Sequence, residues 1–155
     1  NRRSLLQDDQ KLKALFQTLL EHTDYPIVAP LHSYVKDKLQ QLGIQDKRLV
    51  ILPPQSYLSF AYLVNHAAAI VTDSGNVAEE ATFLGIPCIT LNTDAEHPET
   101  VSIGTNCLVG DDVQQLENAL ETLRKGEWKK GQLPERWDGR TSERIVQTLL
   151  EGASL

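Results

Sequence analysis

The order of apolar runs and turns along this chain predicts an α/β fold, a doubly wound parallel sheet with helices on both faces. Two observations carry that prediction. Short apolar segments at 27–31, 49–52, 68–72, 88–91 and 106–109 alternate with stretches of helical periodicity, and strands separated by helices pair in parallel because each crossover returns the chain to the same end of the sheet. The second is residues 70–91, where an apolar strand, a polar Ser74-Gly75-Asn76 turn, one short helix and another apolar strand follow without interruption. That unit needs cover on both faces.

Each element follows from local chemistry. Asp8 and Asp9 can cap a helix on which Leu12, Leu15, Phe16, Leu19 and Leu20 recur at helical spacing. After the strand at 27–31, residues 34–42 read as a helix stopped by Gly43, and 49–52 as a strand ended by Pro53 and Pro54. Ser56 can cap a helix carrying Leu58, Ala61 and Val64. A strand at 68–72, a helix at 77–84 closed by Gly85 and a strand at 88–91 come next. The strand at 106–109 precedes a helix begun by Asp112, expected to bury Val113, Leu116, Leu120 and Leu123, and 140–150 supplies a last helix. The stretch 125–134, rich in Gly and Lys, reads as a linker.

With 155 residues, 41% of them hydrophobic, residues 1–155 suit a single domain with one good core. The net charge of -6 and a pI near 5.2 argue against nucleic acid or an anionic membrane surface as partner. Cys88 and Cys107 are too few for a disulfide framework and sit in apolar strands, where an inert buried thiol is expected. The four histidines lack metal-ligand spacing, His22 and His66 reading as helix-surface residues. No signal peptide and no membrane-spanning apolar run is recognisable, so a cytoplasmic location is expected.

A doubly wound sheet begins with a strand that lies at its centre, whereas this chain passes from Asn1-Arg2-Arg3-Ser4 directly into a helix. Leaving the neighbours of a central strand unpaired would cost about 1–3 kcal/mol per buried group. A first strand upstream of the chain is therefore expected.

The Ser74-Gly75-Asn76 turn is the candidate site. A turn that opens a helix at the carboxyl end of a parallel strand aims backbone N–H groups and the positive end of the helix dipole at a ligand above the sheet, which suits phosphate. Glu80 follows Asn76 by one helical turn. A carboxylate repels phosphate but can accept both hydrogen bonds of a ribose diol, so the pair points to a nucleotide held by diphosphate and sugar. The blander alternatives are a capped turn, and an exposed acid at a helix start, which fits Glu79 better than Glu80.

The run Thr-Asp-Ser-Gly-Asn-Val-Ala-Glu-Glu-Ala-Thr-Phe-Leu-Gly-Ile-Pro-Cys at 72–88, then Glu96-His97-Pro98-Glu99-Thr100-Val101 and Gly104-Thr105-Asn106-Cys107-Leu108-Val109-Gly110, closely resembles the C-terminal lobe of non-hydrolysing UDP-N-acetylglucosamine 2-epimerases. Pro30-Leu31-His32, Pro53-Pro54-Gln55-Ser56-Tyr57-Leu58, Trp137-Asp138-Gly139 and Glu143-Arg144-Ile145 fall in the same order, so the similarity covers the whole chain. The resemblance implies one Rossmann-like lobe of a two-lobed fold like that of B-type glycosyltransferases. It also implies an N-terminal lobe upstream that carries the acid and base carboxylates, and no catalytic residue in this one.

The same resemblance implies conversion of UDP-N-acetylglucosamine to UDP-N-acetylmannosamine by elimination and re-addition of UDP, with no cofactor or metal. It implies too a homodimeric full-length protein in cell-envelope polysaccharide biosynthesis. Ser74, Gly75 and Asn76 would meet the diphosphate, Glu80 the ribose, Pro54, Gln55 and Tyr57 the uracil, and Arg2 a phosphate. His32 matches a family histidine. The chain departs from the family at Asn1 (His in relatives), Asn76 (Gly), Ala78 (Gln) and His97 (Arg). Those departures raise an alternative, a nucleotide-sugar-binding or regulatory module with an eroded pocket. The donor lobe of a B-type glycosyltransferase is a third reading that matches the loops less well.

Overall fold

The computed structural model describes residues 7–152. Helix α1 (Asp9–His22) starts at Asp8, whose carboxylate accepts from the Gln10 and Lys11 amides at 3.0 Å, pairing two donors that a helix start leaves open. Strand β1 (Ile27–Pro30) leads through α2 (Ser33–Gln41) to β2 (Leu49–Leu52). The turn after α2 uses Gly43 at φ +71°, a left-handed conformation that favours glycine. Helix α3 (Tyr57–Asn65) begins at Ser56, whose hydroxyl accepts from the Ser59 amide at 3.4 Å.

Then come β3 (Ile70–Thr72), α4 (Gly75–Leu84) and β4 (Cys88–Thr90), with Gly85 closing α4 at φ 70°. A short helix α5 (Pro98–Ser102) that the sequence reading does not contain precedes β5 (Asn106–Leu108). Asp112 caps α6 (Val113–Arg124), and α7 (Thr141–Gly152) comes last. All strand pairs are parallel, but they form two sheets, β1-β2 and β3-β4-β5. No ladder among the described residues joins β1 to β3.

Helix α1 spans both sheets. Its Leu12 and Phe16 pack with Val35, Leu39 and Ile44 over β2, while Leu19 joins Ile89, Leu116 and Leu120, with Ile27 and Val71 partly buried beside them. Each fully buried leucine, Leu12 and Leu39 among them, contributes about 1.5–3 kcal/mol of transfer free energy. The three-stranded sheet is covered on both faces: neighbouring Cys88 and Ile89 point oppositely, Cys88 onto Ala78 and Ala81 of α4 and Ile89 onto α1 and α6. The β1-β2 sheet departs from the expected cover. Val28 and Val50, opposite each other in register, remain 45% and 43% exposed. Val113, expected inside, is also exposed because it occupies the first turn of α6, ahead of the face formed by Leu116, Ala119 and Leu120.

Arg48 ties the ends of α1 and β2 together. Its guanidinium donates to the Leu20 and Thr23 carbonyls at 2.9 and 2.5 Å, and to Asp46, neutralising the negative end of the helix dipole. The stretch 125–134 is not a free linker. Trp128 Nε1 donates to the Thr105 carbonyl at 2.8 Å, Gln132 N donates to Ile103 O at 2.9 Å, and a Cβ on Gly131 would lie 2.6 Å from the Gly104 carbonyl carbon. Irregular backbone here straps the turn between α5 and β5, and only glycine permits that approach.

Candidate functional site

The site is built where β3 gives way to α4. Ser74 stands at the N-cap of α4 in extended conformation, and its amide donates to Thr72 Oγ1 at 3.1 Å. Its side chain makes no capping hydrogen bond, so the first-turn donors of α4 receive none of the side-chain pairing that Asp8, Ser56 and Asp112 give their helices. Gly75 is buried and Asn76 exposed. Gly75 has no positive φ. Its need is close approach: a Cβ there would meet Glu96 Oε2 at 2.2 Å and Glu96 Cβ at 3.0 Å. The Glu96 carboxylate thus lies against the start of α4, an anion at a helix N-terminus.

Glu80 is half-buried, and its carboxylate makes no hydrogen bond or ion pair among the described residues. A half-buried carboxylate without a partner keeps its acceptor capacity for a ligand. Glu79 is paired instead: its Oε2 lies 3.4 Å from His97 Nε2. His97 therefore reaches α4. Ala78 does not face the site. It is 2% exposed and packs with Ala81 and Cys88, so the absence of the family's Gln there is a packing difference rather than a lost contact at the cradle.

The remaining expected residues lie at other strand ends. Pro54 and Tyr57 are exposed, Tyr57 at 70% and so not a core aromatic, while Gln55 Nε2 donates to the Pro53 carbonyl at 2.6 Å. His32 stacks on Tyr34 with ring centroids 5.9 Å apart at the start of α2. None of the described contacts joins these residues to Ser74 or Glu80. Asn1 and Arg2 lie outside the described residues. A cavity of about 280 Å³ opens at the carboxyl ends of β3, β4 and β5, lined by Lys11, Leu15, Asp73, Leu91, Asn92 and Leu116 among others. None of the expected site residues among those described lines it, although Asp73 precedes Ser74 directly in the chain.

No group of His, Cys, Asp and Glu among the described residues could hold a metal ion. Burial pushes the Cys88 thiol up to about 12 and raises that of Cys107 as well, which makes both poor nucleophiles at neutral pH. No helix among the described residues is long and apolar enough to cross a membrane.

Sequence reasoning missed Glu96, whose only signal was the run Glu-His-Pro-Glu, and the buried polar set behind it. Thr90, Thr100 and Asn106 are 2%, 1% and 2% exposed. A polar residue opening an apolar strand, as Asn106 does before Cys107 and Leu108, is the cue that could have found them.

The chain is similar to known proteins in sequence and in fold. The sequence model of a family described as UDP-N-acetylglucosamine 2-epimerase matches residues 2–150. The chain is 38% identical to UDP-N-acetylglucosamine 2-epimerase of Methanocaldococcus jannaschii over 141 residues, 86% of this chain and 37% of that protein. A crystal structure of the enzyme from that organism in complex with UDP-GlcNAc and UDP superposes with a TM-score of 0.75 at 34% identity, covering 97% of this chain and 43% of the other. The Neisseria meningitidis enzyme bound to UDP-GlcNAc gives 0.76 at 32% identity, over 92% of this chain and 41% of the other. The chain thus spans about two fifths of these relatives.

Proposed function

The chain belongs to the UDP-N-acetylglucosamine 2-epimerase family, and from that premise we propose that it is the UDP-binding lobe of an epimerase that interconverts UDP-N-acetylglucosamine and UDP-N-acetylmannosamine. The observation that carries the proposal is the half-buried Glu80, without a partner among the described residues, one turn beyond a helix start that its N-cap side chain leaves unpaired. Diphosphate oxygens accept from the amides at Ser74, Gly75 and Asn76. Glu80 accepts from the ribose diol, and the turn at Pro54, Gln55 and Tyr57 takes the base. Arg2 adds a phosphate contact. Elimination of UDP puts negative charge on the departing diphosphate, and oriented amides stabilise that charge without reorganising.

The acid and base carboxylates belong to an N-terminal lobe that precedes this one, and a strand from that preceding segment lies between β1 and β3. The interrupted sheet and the length of the relatives support this arrangement. The full-length protein is a cytoplasmic homodimer supplying cell-envelope polysaccharide synthesis, a setting that a nucleotide-sugar substrate supports. The chemistry needs no metal or nicotinamide.

The alternative, a sugar-nucleotide-binding module with an eroded pocket, draws on Asn1, Asn76 and His97. Pairing of His97 with Glu79 is the observation in its favour. The two are separated by incubating full-length protein with UDP-N-acetylglucosamine in deuterated water and following the sugar C2 proton by NMR. The proposal expects the manno epimer with solvent deuterium at C2, whereas binding without exchange would leave only the module.

A further inference from the structure

We propose that Asn106, acting with Thr90 and Thr100, is a positioning residue for the diphosphate end of this site; the inference rests on the UDP-binding reading above. Thr90 Oγ1 donates to Asn106 Oδ1 at 2.5 Å, Asn106 Nδ2 donates to Thr100 Oγ1 at 3.1 Å, and Thr100 Oγ1 donates to the His97 carbonyl at 2.7 Å. The direction of this chain is fixed from its far end. A backbone carbonyl only accepts, so the Thr100 hydroxyl must donate to it and accept from the amide, and Thr90 must then donate to the amide oxygen.

An apolar side chain could fill the Asn106 position between β4 and β5 without exposing an amide to burial cost. What the amide adds is a link, through α5, to the carbonyl of His97. The His97 ring reaches Glu79 on α4, and the preceding Glu96 lies against Gly75. Glu96 thus borders the turn where the diphosphate is proposed to sit, and His97 stands farther along α4 beside Glu79. A fully satisfied buried network is stiff, so β4 and β5, rather than the exposed loop itself, decide where Glu96 and His97 stand over α4.

The test uses full-length protein and titration calorimetry with UDP and UMP. Thr100→Val removes the last donor while keeping shape, Asn106→Asp removes the donor to Thr100, and Thr100→Ser keeps the hydroxyl. We expect Thr100→Val and Asn106→Asp to weaken UDP by about fivefold to tenfold, the worth of one lost hydrogen bond, with UMP within about twofold and Thr100→Ser like wild type. Should Asn106→Asp fail to fold, the Thr100 pair decides alone. Unchanged UDP affinity in Thr100→Val overturns the inference, and so do equal losses for UDP and UMP, the mark of a general structural role. A wild-type protein that already binds UMP as well as UDP removes the nucleotide reading itself, and this inference with it.

Discussion

Substituting Gly75 by Ala tests the cradle at the point where the structure leaves least room. The new methyl would stand 2.2 Å from Glu96 Oε2 and 3.0 Å from Glu96 Cβ and Cδ, so the carboxylate oxygen must retreat by about 1 Å to reach ordinary contact distance. Glu96 is exposed and can swing toward water, which keeps the stability cost at the low end of the about 1–3 kcal/mol seen for overpacking. The better helix propensity of alanine offsets part of it, by up to about 1 kcal/mol. Global stability should therefore move by less than about 1 kcal/mol. Binding should suffer more, because the methyl and the Glu96 side chain it displaces crowd the amides meant for diphosphate oxygens. Losing two charge-assisted bonds at about 1.5 kcal/mol each corresponds to a loss of about 100-fold for UDP. Calorimetry in full-length protein, beside urea unfolding, separates the two effects. UDP binding at wild-type strength in Gly75→Ala would refute the assignment of the diphosphate to this turn.

Further outcomes follow from named contacts. Glu80→Ala should weaken UDP by about 1–3 kcal/mol by leaving the ribose hydroxyls unpaired, and a 2′-deoxy analogue should then lose little more in the same titration. His97→Arg places a permanent cation beside Glu79 and should tighten UDP, a charged hydrogen bond being worth about 1.5–3 kcal/mol; unchanged or weaker binding would mean the pocket is tuned for the imidazole. The Arg48 guanidinium and amide donate to Asp46 and hold its carboxyl down at about 2, below the ordinary 3.8. Its folded-state value being the lower one, Asp46 stabilises fully above 3.8 and progressively less as pH falls toward 2. Urea unfolding of wild type and Asp46→Asn across pH should therefore show a gap that is steady near neutrality and closes through that acid window.

Much of the scaffold was legible because short-range chemistry determines it. Asp8, Ser56 and Asp112 cap the helices expected of them, and Gly43 and Gly85 end theirs with left-handed backbone. The alternation of strands with helices followed from periodicity. What was missed depends on tertiary contact. Helix α5 is a single turn held by Thr100 and the strap at 125–134, whose Gly and Lys content looks like a linker until Trp128 finds the Thr105 carbonyl. Ala78 stands where relatives carry Gln near the turn, yet helix geometry turns it inward onto Cys88. Glu96 meets Gly75 across 21 positions of sequence, a separation that no local pattern encodes.

The most direct measurement of the central claim is the affinity of full-length protein for UDP against UMP by titration calorimetry. With the diphosphate seated on the amides of Ser74, Gly75 and Asn76, the account predicts that UDP binds at least about tenfold more tightly, the worth of one charged hydrogen bond to the second phosphate. Equal affinities would mean that Ser74 begins a helix and nothing more, and would contradict the account.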